Sequence, residues 1–268
     1  MSETIEKFNK HVMQTYGRLP IVLEKGHNDD AVDENGKKYI DFGSGIGTNS
    51  LGYCNDKWAD AVCAQARAIQ HTSNYFYTKV QADFAAKLCE LTGYTDVFFG
   101  NSGAEANECA IKLARKYSFD KYGKGRHTIV TLVNSFHGRT LATLSATGQD
   151  VFHNYFFPFV EGFVNVPGND IDALRKLIAE DKTICAVMFE FVQGEGGVNP
   201  LDKAFVDEIF KLCGENDILT VADEVQTGVG RTGAILTSMR YGVKPDITTL
   251  AKGIAGGVPM GACLADEK

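Results

Sequence analysis

The 268-residue sequence has no long hydrophobic run. A helix that spans a membrane needs roughly 20 consecutive apolar residues, and no stretch of the chain approaches that length. The N-terminal stretch MSETIEKFNKHVM also lacks the apolar core of a signal peptide. We therefore expect a cytoplasmic protein with no membrane partner.

An excess of positive charge is also missing. Lys and Arg number 27 against 34 Asp and Glu, which gives a formal net charge of −7, and the lysines are scattered along the chain. Because nucleic-acid binding depends on a basic face that contacts phosphates, the sequence argues against a nucleic-acid partner.

Cysteine pairs and metal-ligand spacings are absent as well. The seven cysteines are odd in number, widely spaced and without a C-x-x-C motif, so we expect reduced thiols, most of them buried. The six histidines and the cysteines do not show the spacing of zinc ligands. We therefore expect no metal site.

The first 91 residues show a hairpin pattern followed by two helical patterns. Residues 20–42 alternate moderately and contain Asn35-Gly36, a dipeptide that favours a hairpin turn, which predicts a small β meander at the start of the chain. Apolar residues three or four positions apart predict helices at about 56–70 and 78–91.

From residue 97 onward, short apolar runs alternate with amphipathic segments. Near-continuous apolar strands separated by helices predict an α/β fold with a mainly parallel sheet that helices cover on both faces. Ligands of such sheets bind beyond the carboxyl ends of the strands, so residues directly after each run are candidates for a site. The predicted strands are 97–100, 128–133, 185–192, 218–223 and 247–250, and the predicted helices run to about 117, near 170–180 and near 203–214.

The stretch NSGAEAN follows the first of these runs and places Ser102 and Gly103 at the start of a helix. Free backbone N–H groups and the positive end of the helix dipole suit an anion such as phosphate at this position. Ser102 can alternatively be a plain N-cap. The turn is too short for a Walker loop and no G-K-[ST] motif occurs, which disfavours a nucleoside triphosphate.

The second and third runs are followed by NSFHGRT and QGEGGVNP. The adjacent rings of Phe136 and His137 offer a surface on which a planar heterocycle can stack, and Arg139 offers a fork for a carboxylate, although a core ring and a surface cation are equally open. Glu190 lies inside the apolar run and therefore needs a partner or a proton. Glu195 lies between glycines, where it can simply be solvated.

Two charged residues mark the ends of the last two runs. Asp223 closes a buried strand and needs a cation or an N–H donor to stay ionised. Lys252 lies between an apolar strand and a glycine-rich turn, where a lysine either extends its amine to water or reacts. Residues 228–233 match G-x-G-x-x-G, but they do not follow the first strand and position 253 is glycine, so a nicotinamide enzyme is disfavoured.

A phosphate site, a stacking face, a buried carboxylate and a lysine amine together point to pyridoxal phosphate chemistry. In that chemistry the Lys252 amine would form an imine with the cofactor aldehyde. Asp223 would keep the ring nitrogen protonated, so that the ring accepts electrons from a carbanion.

The same motifs resemble the class III aminotransferases, which have the PLP-dependent transferase fold type I, and among them most closely the acetylornithine aminotransferases. The resemblance covers nearly the whole chain. The matching stretches are TYGRLPIVLEKG, HTSNYFYT, FFGNSGAEANECAIKLARKY, SFHGRTLATLSATGQ, FEFVQGEGGVNP, DEVQTGVGRTG and PDITTLAKGIAGGVPMGA.

The resemblance implies roles for individual residues. Lys252 matches the Schiff-base lysine, which also carries the proton once it is freed as an amine, and Asp223 matches the partner of the ring nitrogen. Arg139 resembles the arginine that binds the substrate carboxylate, and Glu195 resembles the glutamate that masks a second arginine. The remaining cofactor residues that it implies are Ser102, Gly103 and Ala104 at the phosphate, Val225 and Phe136 on the two ring faces, and Gln226 at the ring hydroxyl.

The resemblance also implies a domain arrangement and a homodimer. Residues 1–50 would be part of a small domain and residues 51–268 the large cofactor-binding domain. In the family, the second arginine and a threonine that reaches the neighbouring subunit's phosphate site follow the Schiff-base lysine. Because the sequence ends at Lys268, before both, we expect a shortened form without the C-terminal small domain.

The activity that the resemblance implies is transfer of the terminal amino group of N-acetylornithine to 2-oxoglutarate, a step of arginine biosynthesis. Ornithine, 4-aminobutyrate or succinyl-diaminopimelate as the amino donor are alternatives within the same fold. A catalytically silent PLP-binding fragment is an alternative from a different class.

Overall fold

The computed structural model of the chain describes residues 2–267. The chain divides after Ser73 into two compact units. The predicted domain boundary at residue 50 falls within the first unit and stays a prediction.

The first unit contains an antiparallel three-stranded sheet, as the alternation of residues 20–42 predicts. Its second hairpin turns at Asn35-Gly36: the Asp33 carboxylate accepts hydrogen bonds from the backbone N–H groups of Asn35 and Lys37, and Gly36 has a φ of 81°. The meander does not open the chain, because a helix that begins at an N-cap formed by Ser2 precedes it. The elements are α1 (Glu3–His11), β1 (Leu23–His27), β2 (Asp30–Asp33), β3 (Lys38–Ile40), α2 (Ser44–Gly47) and α3 (Asp56–Ala68).

The second unit alternates strands and helices. The helices that the hydrophobic periodicity predicts near 78–91, 170–180 and 203–214 are present within about two residues of the expected bounds. The elements are α4 (Lys79–Thr92), β4 (Asp96–Gly100), α5 (Gly103–Tyr122), β5 (Thr128–Leu132), α6 (Leu141–Ala146), β6 (Phe163–Val166), α7 (Ile171–Glu180), β7 (Ile184–Phe189), β8 (Val192–Gln193), β9 (Asn199–Pro200), α8 (Lys203–Asn216), β10 (Leu219–Asp223), α9 (Thr237–Tyr241), β11 (Ile247–Leu250) and β12 (Gly261–Ala265).

Seven of these strands form one sheet in the order β4-β12-β11-β10-β7-β5-β6. Every described pairing in it is parallel except those of β12, which runs antiparallel to both β11 and β4. The sheet is therefore mainly parallel, as the sequence predicts. β12 and β6 were not expected, because GACLA follows a glycine-rich turn and FVNV carries an asparagine, so neither looks like a long apolar run.

Helices cover both faces of this sheet, which explains why its strands are apolar at nearly every position. On one face, α7 and α8 pack on alternate strand residues such as Val130, Leu132 and Phe189. On the other face, Ala110 and Ala114 of α5 pack on the intervening residues, which include Ile129, Met188, Val221 and Ile247. Each Å² of aliphatic surface that this packing buries stabilises the fold by about 25 cal/mol. The packing thereby fixes the positions of the strand ends that carry the candidate site.

Two sequence predictions need correction. β7 ends at Phe189 rather than near residue 192, so Glu190 lies just after the strand and not inside it. The cysteines are all free thiols, but only Cys185, Cys213 and Cys263 are buried, whereas most were expected to be.

Among the residues described, no helix combines the length and the apolar character that crossing a membrane requires.

Candidate active site

The carboxyl ends of β5, β7, β10 and β11 meet at one edge of the sheet because these strands are parallel. The start of α5 reaches the same edge, where a Cβ added to Gly103 would lie 2.7 Å from Val225 and 3.4 Å from Ala251. The chain segments at this edge carry Phe136 and His137 after β5, Glu190 after β7, Asp223 at the end of β10, and Lys252 after β11.

Asp223 is buried and held by three donors. Its Oδ2 accepts hydrogen bonds from Asn107 Nδ2 and from His137 Nδ1, both at 2.8 Å, and its Oδ1 accepts one from the backbone N–H of Val225 at 3.0 Å. Donors of this kind favour the ionised carboxylate in a site that excludes water. The sequence predicts that Asp223 needs cationic or N–H partners, and the structure supplies them.

His137 is buried with its ring nitrogens in different environments. Burial disfavours the charged ring, but the hydrogen bond and the charge of Asp223, with a smaller contribution from Glu190, outweigh it and raise the pKa of His137. Its Nε2 has no hydrogen-bond partner among residues 2–267. The predicted stacking role of His137 stays a prediction; the contact that the structure gives its ring nitrogen is with Asp223.

Lys252 is partly buried and lies two residues after Leu250, the last residue of β11. Burial lowers the pKa of its amine, although the charges of Asp223, Glu190 and Glu195 oppose this effect. A lowered pKa increases the fraction of neutral amine, which is the nucleophilic form. Its φ of 49° is unusual for a residue with a side chain, and such conformations cluster at functional sites.

Glu190 is a second buried carboxyl group near Asp223, and sequence reasoning assigned it no role. Its Oε2 accepts the backbone N–H of Phe136 at 3.0 Å. Burial raises the pKa of Glu190 to about 7, with the nearby His137 and Lys252 lowering it and Asp223 raising it. The group therefore titrates near neutral pH.

The N-terminus of α5 confirms the N-cap at Ser102. Its Oγ accepts the backbone N–H of Glu105 at 3.1 Å, so two of the helix's first N–H groups, those of Gly103 and Ala104, have no partner within the helix. Capping and anion binding are compatible here, because the serine satisfies the third N–H group and leaves the first two. A Cβ added to Gly138 would lie 2.9 Å from Ala104, so the loop after β5 lies directly beside this helix end.

The remaining predicted residues lie toward the surface of the site. Phe136 contacts Phe152, with ring centroids 5.5 Å apart, and the exposed Arg139 guanidinium lies 5.2 Å from the Phe152 ring. Exposed Glu195 accepts a hydrogen bond from Gln149 at 2.5 Å. A Cβ on the preceding glycine, Gly194, would lie 2.7 Å from the Gln226 side chain. The substrate roles predicted for Arg139 and Glu195 stay predictions.

Glu224 shows that burial of a carboxylate does not by itself indicate chemistry. It follows Asp223 directly and is fully buried, yet its oxygens accept the backbone N–H groups of Thr237 and Ser238 at 2.6 and 2.9 Å. It therefore caps α9 and connects this helix to the end of β10.

The stretch 228–233 forms tight turns, with no helix opening inside it, so the structure supports the rejection of a dinucleotide fingerprint.

Sequence reasoning missed Asn107 and Thr249. Asn107 lies one helical turn after Gly103, and this spacing places both residues on one face of α5. Thr249 is a polar residue in an apolar strand and pairs in register with Asp223. Helical spacing and strand register were the available signals. No group of three or more His, Cys, Asp or Glu side chains is arranged to hold a metal ion within the described part of the chain.

The fold agrees with the family to which the chain belongs. The family model described as Aminotransferase class-III matches residues 12–268, and the chain is a member of that family. The acetylornithine aminotransferase of Haemophilus ducreyi is 52% identical over 96% of this chain and 65% of the relative. That of Caldanaerobacter subterraneus is 48% identical over 98% of this chain and 66% of the relative.

Solved structures give the same result. The ornithine aminotransferase of Toxoplasma gondii superposes with a TM-score of 0.94 and 32% identity, over 98% of this chain and 63% of that one. The acetylornithine aminotransferase of Elizabethkingia anophelis gives a TM-score of 0.85 and 33% identity over the same shares. The chain thus spans about two thirds of the length of the relatives that it matches.

Proposed function

We propose that the chain binds pyridoxal 5′-phosphate and acts as an aminotransferase that moves the terminal amino group of N-acetylornithine to 2-oxoglutarate. The observation that carries this proposal is the pair formed by Asp223 and Lys252. A buried acid held by three donors and an amine of lowered pKa lie at the ends of two hydrogen-bonded parallel strands, close enough for their charges to interact. The curated relatives named acetylornithine aminotransferase support the choice of substrate.

The residues present fit the cofactor. The start of α5 offers the N–H groups of Gly103 and Ala104 to a phosphate, and Gly103 leaves no room for a Cβ beside Val225. The buried Asp223 carboxylate is suited to a protonated ring nitrogen, and the Lys252 amine to the aldehyde. Phe136 and Val225 would pack on the ring faces, with Gln226 at the ring hydroxyl.

When bound, pyridoxal phosphate supplies a conjugated ring that accepts the electrons of a carbanion. Asp223 keeps a negative charge where a ring N–H needs it, and its donors hold it in place. The Lys252 amine, which lies near the charges of Asp223 and Glu190, would take a proton from the amino-bearing carbon of the substrate and deliver it to the carbon that carried the cofactor aldehyde. Arg139 binds a substrate carboxylate, and Glu195 controls access of the second substrate.

Ornithine is the second candidate for the amino donor, since the Toxoplasma ornithine aminotransferase superposes with a TM-score of 0.94. Turnover with 2-oxoglutarate should be compared for N-acetylornithine, ornithine, 4-aminobutyrate and succinyl-diaminopimelate. We expect N-acetylornithine to be used fastest. Equal rates with ornithine and its acetylated form would contradict the proposed specificity.

A catalytically silent PLP-binding protein is the alternative from another class. The same assay decides: no turnover of any of the four donors by protein that holds the cofactor would establish this alternative.

We also propose a homodimer in the cytoplasm, with residues 1–50 serving as part of a small domain and residues 51–268 as the cofactor-binding domain. The free state of all seven cysteines supports a reducing compartment. Sedimentation measurements with the cofactor bound should give twice the chain mass, and cell fractionation should place the protein in the cytoplasm.

A further inference from the structure

Both the nitrogen and the oxygen of the Asn107 amide form hydrogen bonds inside the site. It is 1% exposed, its Nδ2 donates to Asp223 Oδ2 at 2.8 Å and to the backbone carbonyl of His137 at 2.7 Å, and its Oδ1 accepts from Thr249 Oγ1 at 2.6 Å. One side chain of α5 thereby connects the loop after β5, the end of β10 and β11. A buried amide with this many partners is expensive to leave unpaired.

The two carboxylate oxygens of Asp223 accept different numbers of hydrogen bonds. Oδ2 receives two side-chain donors, Asn107 Nδ2 and His137 Nδ1, whereas Oδ1 receives only the Val225 N–H among the described residues. A carboxylate oxygen accepts about two hydrogen bonds, so Oδ2 is filled and Oδ1 keeps a lone pair. A further donor therefore has to approach Oδ1.

The acceptors around Asn107 determine which way its amide points. Oxygen and nitrogen of an amide have nearly the same shape, so packing alone does not select between the two orientations. Asp223 Oδ2 and the His137 carbonyl only accept hydrogen bonds, so the amide nitrogen faces them, and a reversed amide would set an oxygen against both. The Thr249 hydroxyl then donates to the amide oxygen, Asn107 Oδ1, and holds the amide in this orientation. Thr249 pairs in register with Asp223 on the neighbouring strand, so the sheet fixes this geometry.

We propose that Asn107, held by Thr249, is a positioning residue that fixes the Asp223 carboxylate so that its Oδ1 stays available to the ring nitrogen of the cofactor. This inference rests on the proposed function. Loss of the Asn107 donor leaves Asp223 Oδ2 held by His137 alone, so the ring nitrogen would face a less firmly fixed anionic partner while the substrate-contacting residues stay in place.

The kinetic test compares Asn107→Leu, which keeps size and removes the amide, with wild-type protein loaded with pyridoxal phosphate. We expect kcat with N-acetylornithine to fall roughly 10- to 100-fold, the value of one charge-assisted hydrogen bond, with KM for the donor nearly unchanged. Thr249→Val should lower kcat in the same direction. Thr249→Ser, which keeps the hydroxyl, should restore it.

A second measurement needs no cofactor. Asn107→Leu removes one of the two donors to Asp223 Oδ2, which leaves this oxygen to His137 Nδ1, so the pKa of His137, read from the nitrogen NMR signals of its ring, should rise. Glu190 also faces His137 and is unchanged in the variant. The matched control is Asn216→Leu, which makes the same change on an exposed residue of α8 and should leave the His137 signals unchanged.

The outcomes separate this proposal from the proposed function. A wild-type protein that shows no absorption band with pyridoxal phosphate and no turnover contradicts both. If wild-type protein turns over but Asn107→Leu and Thr249→Val keep wild-type kcat, the positioning role is wrong while the function stands. An unchanged His137 pKa in folded Asn107→Leu, verified by circular dichroism, also contradicts the positioning role.

Discussion

At the scale of single residues, partners decide which buried carboxylates take part in chemistry. Asp223 and Glu224 are consecutive and both are buried. Glu224 caps a helix through two backbone N–H groups, whereas Asp223 accepts from two side chains and one backbone N–H group and keeps an open position. The sequence identifies Asp223 because it closes an apolar strand. It could not distinguish the roles of the two, since only the folded chain brings their partners close.

Replacement of Asp223 by Asn should have two effects. The pKa of His137 should fall below its ordinary value of 6.5, because burial then acts without the opposing carboxylate. Turnover should fall by roughly a thousandfold, since the ring nitrogen loses its anion. NMR titration of the cofactor-free protein and steady-state kinetics measure the two effects, and near-normal turnover would remove Asp223 from the mechanism.

The raised pKa of Glu190 predicts that the stability of the protein depends on pH. Its pKa of about 7 lies above the ordinary 4.5, so between these values the native protein keeps a proton that the unfolded chain has lost. The unfolding free energy therefore falls as pH rises through this range, by up to about 3 kcal/mol from this group. The charges of His137, Asp223 and Lys252 act on the same group.

Glu190→Gln isolates that contribution, because glutamine does not titrate. Urea unfolding at about pH 5 and about pH 8, followed by circular dichroism, should show that the wild-type protein loses more stability between the two values than the variant does. Equal losses would mean that Glu190 is ionised in the native protein across this range.

At the scale of elements, helix α5 connects the fold to the site. Its alanines pack on the sheet, its cap at Ser102 frees two N–H groups, and Asn107 reaches the ends of two strands. Helical spacing and the cap can be read from SGAEAN. The approach of Gly103 to Val225 cannot, because it depends on how closely β10 lies to the helix.

Gly103→Ala tests this close approach. The new Cβ would lie 2.7 Å from Val225, so the helix end or the strand end must shift, which costs about 1 to 3 kcal/mol and weakens binding of pyridoxal phosphate. Gly214→Ala in α8 is the control, since nothing lies within 4 Å of its Cβ and alanine favours a helix. Gly103→Ala should therefore have a lower free energy of unfolding and a lower cofactor affinity than Gly214→Ala. Equal values for the two variants would contradict the close packing.

At the scale of the whole molecule, the order of strands and helices follows from the sequence, and the pairing of strands does not. Apolar runs at 128–133, 218–223 and 247–250 predict three strands within one residue of their bounds. The sequence could not predict that β12 inserts antiparallel between β4 and β11, because a short run after a glycine turn has no local signal of its neighbours. The ends of the parallel strands, and with them the site, were therefore easier to predict than the sheet edge.

Binding of the cofactor should stabilise the molecule as a whole. At a concentration about 100 times its Kd, pyridoxal phosphate adds about 2.7 kcal/mol and raises Tm by several degrees. Pyridoxine phosphate, which has the ring and the phosphate but no aldehyde, should raise Tm less. The same Tm rise with both compounds would mean that no bond to an amine forms.

The most direct measurement is reduction of the cofactor-loaded protein with borohydride, followed by proteolysis and peptide mass spectrometry. We predict that the phosphopyridoxyl group is recovered on the peptide containing Lys252, and that Lys252→Ala yields no labelled peptide. Recovery of the group on another lysine, or no label on the wild-type protein, would contradict the assignment of Lys252 and, with it, the active site at the ends of β10 and β11.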